Sequence, residues 1–179
     1  MNADSEPIAE IPIEPAAFDF EAVFLAEYPR IVRIVGRIVK DPARAEDLAM
    51  EVFWKLWRKP RRKVADAGGW LYRTAVRAGL DELRKQSRRE KYERLFSFAR
   101  TNPTPEQMHS ENEKQQRVRK TLASIKTRHA ELLLLRSDGL SYQEIAQALE
   151  LNPSSIGILL SRARQAFRKE YIKKYGERH

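Results

Sequence analysis

The chain has 179 residues, of which 42% are hydrophobic and none is cysteine, and its formal net charge is +9. This length suits one domain or two small ones. The absence of cysteine excludes a disulfide framework and thiolate zinc sites. No apolar run approaches the roughly 20 residues of a membrane span, and the N-terminus lacks the basic and apolar regions of a signal peptide. We therefore expect a cytoplasmic protein without membrane insertion.

Charge is distributed unevenly along the chain. Residues 1–29 contain seven acidic residues and no Lys or Arg, whereas residues 58–91 have a net charge of +8 and residues 151–179 a net charge of +5. Either basic zone alone is explained equally well as the solvated face of a helix. Two separate basic zones in one chain suggest two contacts with a single polyanion.

Helical periodicity dominates the sequence and no strand-like alternation is sustained, so the predicted fold class is all-α. Residues 1–16, with three prolines, are expected to form a disordered acidic tail. A first helix is expected at about 18–39, kinked or restarted at Pro29. Asp41 followed by Pro42 has the cap and first-position pattern of a second helix.

The second predicted helix contains the stretch AEDLAMEVFWKLW, residues 45–57, which has two distinct faces. Residues at helical spacing predict a complete core face: Ala45, Leu48, Ala49, Val52, Phe53, Leu56 and Trp57. Off this stripe lie Glu46, Asp47, Met50, Glu51 and Trp54. The helix macrodipole accounts for the first two acids, but an exposed tryptophan beside carboxylates indicates a protein-binding surface.

The middle of the chain is predicted to contain a basic loop at 58–69 and a helix with a cationic face that begins at about Trp70. A linker follows, because Pro103 and Pro105 favour extended backbone. Four more helices are expected between 106 and 175.

Residues 139–167 have the rhythm of a helix-turn-helix. Ser141 and Glu144 form a capping box for its first helix, and Ser154 or Ser155 begins its second. One side of that second helix is polar and basic, which suits a helix lying in a major groove; this side comprises Ser161, Arg162, Arg164, Gln165 and Arg168.

These motifs, in this order, resemble the extracytoplasmic-function branch of the bacterial RNA polymerase sigma factors. DPARAEDLAMEVFWKLW is similar to region 2.2, GGWLYRTAVRAGLDELRKQSRR to regions 2.3 and 2.4, and LSYQEIAQALELNPSSIGILLSRARQAFRK to region 4. The resemblance covers about residues 18–170. It implies two small helical domains joined by a flexible linker, with the division: tail 1–16, region 2 domain 17–91, linker 92–110 and region 4 helix-turn-helix domain 111–175.

The resemblance also implies a function and its residues. The protein would bind core RNA polymerase, help melt the promoter −10 element and contact the −35 element, without catalysis, cofactor or metal. The implied polymerase contacts are Asp47, Met50, Glu51 and Trp54. The implied −10 contacts are Arg73, Arg77, Arg84, Lys85, Arg88 and Arg89. The implied −35 contacts are Ser154, Ser155, Ile158, Ser161, Arg162 and Arg164. Further implied partners are promoter DNA, as duplex and as non-template single strand, and an anti-sigma factor.

Several residues depart from the pattern common in such factors. Gly157, Ile158 and Leu159 stand where lysine, serine and arginine are frequent, so thymine-methyl contact, phosphate contact or DNA shape would carry more of the recognition.

Met50 stands where glutamine is usual, which removes a hydrogen bond but suits apolar docking. Arg77 stands where asparagine is frequent. Glu150 replaces the usual turn glycine, which predicts a different turn or a left-handed residue under mild strain.

Two other functions remain open at this point. A helix-turn-helix regulator that acts without polymerase docking explains residues 106–175 but gives residues 45–57 no role. An enzyme acting on nucleic acid is disfavoured because the three histidines lack ligand spacing and no glycine-rich phosphate loop is present.

Overall fold

The computed structural model describes residues 18–59, 64–97 and 110–176. The helices in these ranges are α1 (Phe20–Val39), α2 (Pro42–Arg58), α3 (Val64–Ser97), α4 (Ser110–Ser124), α5 (Thr127–Ser137), α6 (Tyr142–Leu149) and α7 (Ile156–Tyr175), with a 3-10 turn at Pro153–Ser155. No strand occurs within the described ranges, and the all-α prediction is confirmed. The predicted tail 1–16 lies outside the described residues, as does most of the predicted linker.

Helices α1 and α2 begin at the residues that the sequence favours. Asp19 caps α1, where its carboxylate accepts the N–H of Ala22 at 3.0 Å. Asp41 caps α2 in the same way, accepting the N–H of Arg44 at 3.2 Å with Pro42 in the first position. Helix α1 runs through Pro29 as one element, so the predicted restart there is wrong.

The core stripe of α2 is predicted correctly for all of its members except Trp57. The other six side chains are buried, whereas Trp57 is 63% exposed. At 3.6 residues per turn, Trp57 lies about 100° from the centre of the stripe. It is therefore turned away from the core and towards the side of Met50.

Helix α3 is longer at both ends than the sequence predicts. It begins at Val64, within the predicted basic loop, and continues to Ser97, past the predicted start of the linker. Gly68 and Gly69 lie within the predicted loop, although the structure places them inside the helix. A side chain at Gly69 would meet the backbone of Ala148 on α6, with the Cα at 3.1 Å from the added Cβ. The absence of a side chain at Gly69 therefore allows α3 and α6 to approach each other closely.

The helix-turn-helix at 141–175 follows its predicted pattern. The Ser141 hydroxyl accepts the N–H of Glu144 at 3.2 Å, and the Glu144 carboxylate accepts the N–H of Ser141 at 2.7 Å. Glu150 ends α6 in the left-handed conformation, with φ of 55°. The inward residues of the two helices are buried: Ile145, Ala146, Leu149, Ile156, Leu160 and Ala163.

Helices α1–α3 pack on one another and form an N-terminal unit, and α4–α7 form a C-terminal unit. The core of the N-terminal unit contains an aromatic contact between Phe24 and Phe53, whose ring centroids are 4.9 Å apart. The two units are in direct contact, because α3 packs against α4, α5 and α6.

Candidate polymerase and nucleic-acid interfaces

One exposed face of α2 carries the residues that the resemblance assigns to polymerase binding. Asp47, Met50, Glu51 and Trp54 are separated in turn by three, one and three positions along the helix, and all four are exposed. Met50 is 49% and Trp54 55% exposed. Trp57 adds a second exposed indole to this side, which the sequence did not predict. We call these five residues the α2 face.

Arg44 organises the acidic end of the α2 face. Its guanidinium donates to Glu82 on α3 across 2.9 Å and lies 3.5 Å from Glu51 and 3.9 Å from Asp47. The hydrogen bond to Glu82, together with the nearby negative charges, raises the pKa of Arg44. Arg44 is not among the residues predicted from the sequence, although its spacing from Asp47 and Glu51 is helical.

The indole of Trp54 is also held by a cation on its own helix. The Arg58 guanidinium lies over the Trp54 ring, 4.7 Å from its centroid. A cation in this position is attracted by the ring quadrupole. The α2 face therefore combines two carboxylates, one thioether and two indoles on a supported helix.

The six cations assigned to the −10 element divide into two groups on α3. Lys85, Arg88 and Arg89 are exposed. The other three bind the C-terminal unit. Arg73 lies 3.0 Å from the Glu150 carboxylate and Arg77 lies 2.5 Å from that of Glu131.

Arg84, the third of these, donates to two backbone carbonyls, one in the last turn of α4 and one directly after that helix. Its Nε lies 3.2 Å from the oxygen of Ala123 and its Nη2 3.4 Å from the oxygen of Ile125. The structure therefore brings three candidate −10 residues together, but places them in a contact between the two units.

The residues assigned to the −35 element lie in the 3-10 turn at Pro153–Ser155 and in the first half of α7. Ser154, Ile158, Ser161, Arg162 and Arg164 are exposed, and Ser155 is half-buried. Asn152 accepts both the N–H and the hydroxyl of Ser154, at 3.0 and 2.8 Å, and so fixes the entry into the 3-10 turn.

Among residues 18–59, 64–97 and 110–176, no group of three or more His, Asp or Glu side chains has the arrangement of a metal site. Within the same ranges, no helix combines the length and the apolarity that crossing a membrane requires.

Comparison with known families connects both units to transcription. Residues 23–89 match the family model of Sigma-70 region 2, and residues 115–167 match that of Sigma-70 region 4, together more than half of the chain. The chain belongs to the sigma-70 family. Members of this family are initiation factors of bacterial RNA polymerase, and this protein is one of them.

Several curated sigma factors are similar to this one. The identity is 27% with SigE of Mycolicibacterium smegmatis, over 82% of this chain and 58% of SigE. It is 28% with YlaC of Bacillus subtilis, over 86% of this chain and 92% of YlaC. It is 26% with the sigma-H factor of Pseudomonas aeruginosa, over 84% of each chain. The present sigma factor thus spans less than two thirds of SigE but most of the other two relatives.

A solved structure is also similar to this sigma factor. It is the sigma factor RpoE of Bartonella quintana, in complex with the anti-sigma factor NepR. The TM-score is 0.46 at 20% identity, over 90% of this chain and all of the other.

Proposed function

We propose that this sigma factor binds core RNA polymerase through the α2 face and holds promoter DNA with α3 and α7. The exposure of two indoles beside two carboxylates on one helix is the observation that carries this proposal. Carboxylates bind arginine through charge-assisted hydrogen bonds, and tryptophan is enriched among the residues that dominate interface energy. A solvated helix has no need of this combination.

The cations of α3 suit the −10 element. Arg73, Arg77, Arg84, Lys85, Arg88 and Arg89 would follow the phosphates of the unpaired non-template strand. Stacking of a base on an aromatic side chain contributes about 1–3 kcal/mol, which is comparable to the mean stacking energy of about 1.4 kcal/mol per base-pair step. Capture of a few bases is therefore sufficient to favour melting.

The start of α7 suits duplex DNA at the −35 element. Arg162 and Arg164 would contact phosphates, Ser154, Ser155 and Ser161 would donate to phosphates or base edges, and Ile158 would contact a thymine methyl group. Residues 98–109 separate α3 from α4, and twelve residues extend to at most about 43 Å. Two elements one and a half helical turns apart are separated by about 50–55 Å, so one molecule with its units apart would reach both only with the units themselves covering the remainder.

Partners and location follow from this role. The factor works in the cytoplasm, where the polymerase performs the chemistry and the sigma factor performs none. An anti-sigma factor is a further partner, on the basis of the family resemblance alone, and would act by covering polymerase-binding surfaces.

Run-off transcription with purified core polymerase tests the proposal. Core enzyme with the sigma factor is expected to initiate at a discrete set of genomic sites, and core enzyme alone is not. Initiation that does not change when the factor is added contradicts the proposal. DNA binding without any affinity for core polymerase would instead support a helix-turn-helix regulator.

A further inference from the structure

The last two turns of α3 carry exposed apolar side chains that have no part in the core. The helix continues to Ser97, whereas the match to Sigma-70 region 2 ends at residue 89. Within this extension Tyr92 is 61%, Leu95 63% and Phe96 78% exposed. Exposed apolar side chains that cluster, unlike those scattered singly, mark an interaction site. The extension is therefore a candidate for a contact that the α2 face and α7 do not provide.

The two aromatic residues of the extension share a helix face with exposed cations. Lys85, Arg89, Tyr92 and Phe96 follow one another at intervals of four, three and four residues. At 3.6 residues per turn, these four positions lie within about 60° of one another around the helix axis. Arg88 flanks them, about 60° from Lys85. We call these five residues the α3 stripe.

The charge of the α3 stripe is uniformly positive. Its three cations are exposed, and none of its five residues is acidic. The acids nearest in sequence lie off the stripe: Glu90 pairs with Lys120 of α4 at 3.0 Å, and Glu93 is turned about 100° from Tyr92. The α2 face, by contrast, combines indoles with two carboxylates. The two surfaces therefore suit partners of opposite charge.

The dimensions of the α3 stripe match a single nucleic-acid strand. Its cations occupy the first turns and its aromatic residues the last. The helix rises about 1.5 Å per residue, so Lys85 and Phe96 are separated by about 16 Å along the axis. At about 3.4 Å per nucleotide, this length corresponds to about five stacked nucleotides. Tyr92 and Phe96 are about 6 Å apart along the axis, which leaves room for a base on each ring.

Unpaired bases are the ligand that uses both the charge and the aromatic rings of the stripe. In a duplex the faces of the bases are covered by their neighbours, so an aromatic side chain reaches them only where the strand is unpaired. Proteins that bind single strands combine a positively charged surface, which follows the backbone, with aromatic side chains on which bases stack. Every base has a π-face, so such binding tolerates any sequence.

We propose that Tyr92 and Phe96 stack on unpaired bases of the non-template strand while the cations of the α3 stripe hold its phosphates. This inference deepens the proposed function and rests on it, because the proposed function places that strand on α3 without naming an aromatic side chain. The stripe adds affinity for melted DNA of any sequence. It contributes to melting and not to the choice of promoter sequence.

The first part of the test compares two fluorescein-labelled strands of 20 nucleotides, one of mixed sequence and one without bases. Their binding to the full-length protein is measured by anisotropy at low salt. Tyr92→Ala and Phe96→Ala are each expected to weaken binding to the first strand about fivefold or more, and to leave binding to the second unchanged. Tyr92→Phe and Phe96→Tyr are expected to retain the affinity. Leu95→Ala is the matched control, because Leu95 is equally exposed but lies about 100° from Phe96 around the helix.

The second part measures the same affinities at several salt concentrations. Lys85→Ala with Arg89→Ala is expected to reduce the slope of log affinity against log salt concentration by about 0.7 for each lost phosphate contact. The two aromatic variants are expected to keep the slope, because stacking releases no counterions. The proposal is overturned if the unmodified protein binds neither strand, or if the aromatic variants bind both strands as the unmodified protein does. Equal weakening on the strand without bases would overturn it too.

Two other partners of the extension would give different results. If Tyr92→Ala and Phe96→Ala leave strand affinity unchanged but weaken binding to core polymerase, the surface is a protein interface and the proposal is overturned. The same holds if the unmodified protein forms a dimer that these variants dissociate, as measured by analytical ultracentrifugation, with strand affinity unchanged. Circular dichroism checks folding, which substitution of exposed side chains is expected to preserve.

Failure of the proposed function has a different signature, because the strand measurements use no polymerase. Base-dependent binding without initiation by core polymerase would contradict the proposed function and leave the stacking surface intact. Initiation by core polymerase together with base-independent binding would overturn the stacking surface alone.

Discussion

The Arg44 guanidinium lies 3.5 Å from the carboxylate of Glu51 on its own helix and 2.9 Å from that of Glu82 on α3. This arrangement ties α2 to α3 directly beneath an exposed acidic surface. A supported side chain loses less conformational freedom on binding, so more of its interaction energy appears as affinity. Arg44 is thus a positioning residue for the α2 face.

Reversing both acids of the α2 face is expected to abolish polymerase binding. Hydrogen bonds to charged groups contribute about 1.5–3 kcal/mol each, so Asp47→Arg with Glu51→Arg predicts at least about a hundredfold loss of affinity for core polymerase. The melting temperature is expected to change little, because exposed ion pairs contribute about 0–1 kcal/mol. Fluorescence anisotropy with labelled sigma factor measures the affinity.

The control for this pair makes the same change in charge elsewhere. Glu93 and Glu113 are exposed and belong to α3 and α4 rather than to α2, and Glu93→Arg with Glu113→Arg is expected to leave affinity within about threefold. Normal holoenzyme assembly by the Asp47 and Glu51 double variant would refute the assignment of the α2 face.

Trp57→Ala distinguishes an interface residue from a core residue. At 63% exposure, the indole contributes little to the core, so the free energy of unfolding is expected to change by less than about 0.5 kcal/mol. Trp57→Ala is expected to weaken binding to core polymerase by about 2 kcal/mol or more, which is the cost of removing a tryptophan that dominates an interface. Tyr92→Ala, an equally exposed aromatic on α3, is the control for both measurements. A large loss of stability with unchanged polymerase affinity would place Trp57 in the core after all.

Gly79→Ala is expected to destabilise the N-terminal unit despite the preference of helices for alanine. An added Cβ would lie 2.9 Å from Cδ1 of Ile38 and 3.2 Å from its Cβ. Alanine gains up to about 1 kcal/mol in helix propensity, but overpacking costs about 1–3 kcal/mol. The free energy of unfolding measured in urea is expected to fall on Gly79→Ala. Adding Ile38→Val to the same protein is expected to restore part of this loss.

Gly36 in α1 is a matched control, for which we expect a change in the free energy of unfolding of the opposite sign. At Gly36 the nearest atom to an added Cβ is that of Ala45, at an ordinary 3.8 Å. Gly36→Ala is therefore expected to stabilise the protein by up to about 1 kcal/mol. Equal effects at Gly36 and Gly79 would contradict the packing explanation.

The sequence predicts those features whose causes lie within a few residues. The capping box of Ser141 and Glu144 spans one helical turn, and the whole pattern is legible in the sequence. The start of α3 was missed because Gly69 serves a contact with Ala148, which is distant in the chain. The partner of Arg77 is likewise 54 residues away, and no local pattern reveals it.

The capping box of α6 predicts a dependence of stability on pH. The hydrogen bond from the Ser141 N–H lowers the pKa of Glu144 below its ordinary value of 4.5. The Glu144 carboxylate therefore binds a proton less readily in the folded protein than in the unfolded one. Its contribution to the free energy of unfolding is present above pH 4.5 and is lost as pH falls through the lowered pKa. Glu144→Gln is expected to reduce the dependence of the free energy of unfolding on pH below 4.5, as measured by urea unfolding.

Ser141→Ala removes the other half of the same box. Loss of an N-cap hydroxyl costs about 0.5–2 kcal/mol, and this cost is expected at neutral pH. Ser161→Ala, an exposed serine within α7, is the control and should be nearly neutral. Equal losses from the two serine variants would show that the cap has no special role.

Arg162→Ala with Arg164→Ala tests the start of α7 as a phosphate-binding surface. Each lost phosphate contact is expected to reduce the slope of log affinity against log salt concentration by about 0.9. The probe is a 30-base-pair duplex of mixed sequence, with anisotropy measured at several salt concentrations. Lys169→Ala with Lys173→Ala removes the same charge from the later turns of α7. Because the proposed DNA contacts precede these turns, the lysine pair should change the slope less, and an equal change would show that net charge alone binds the DNA.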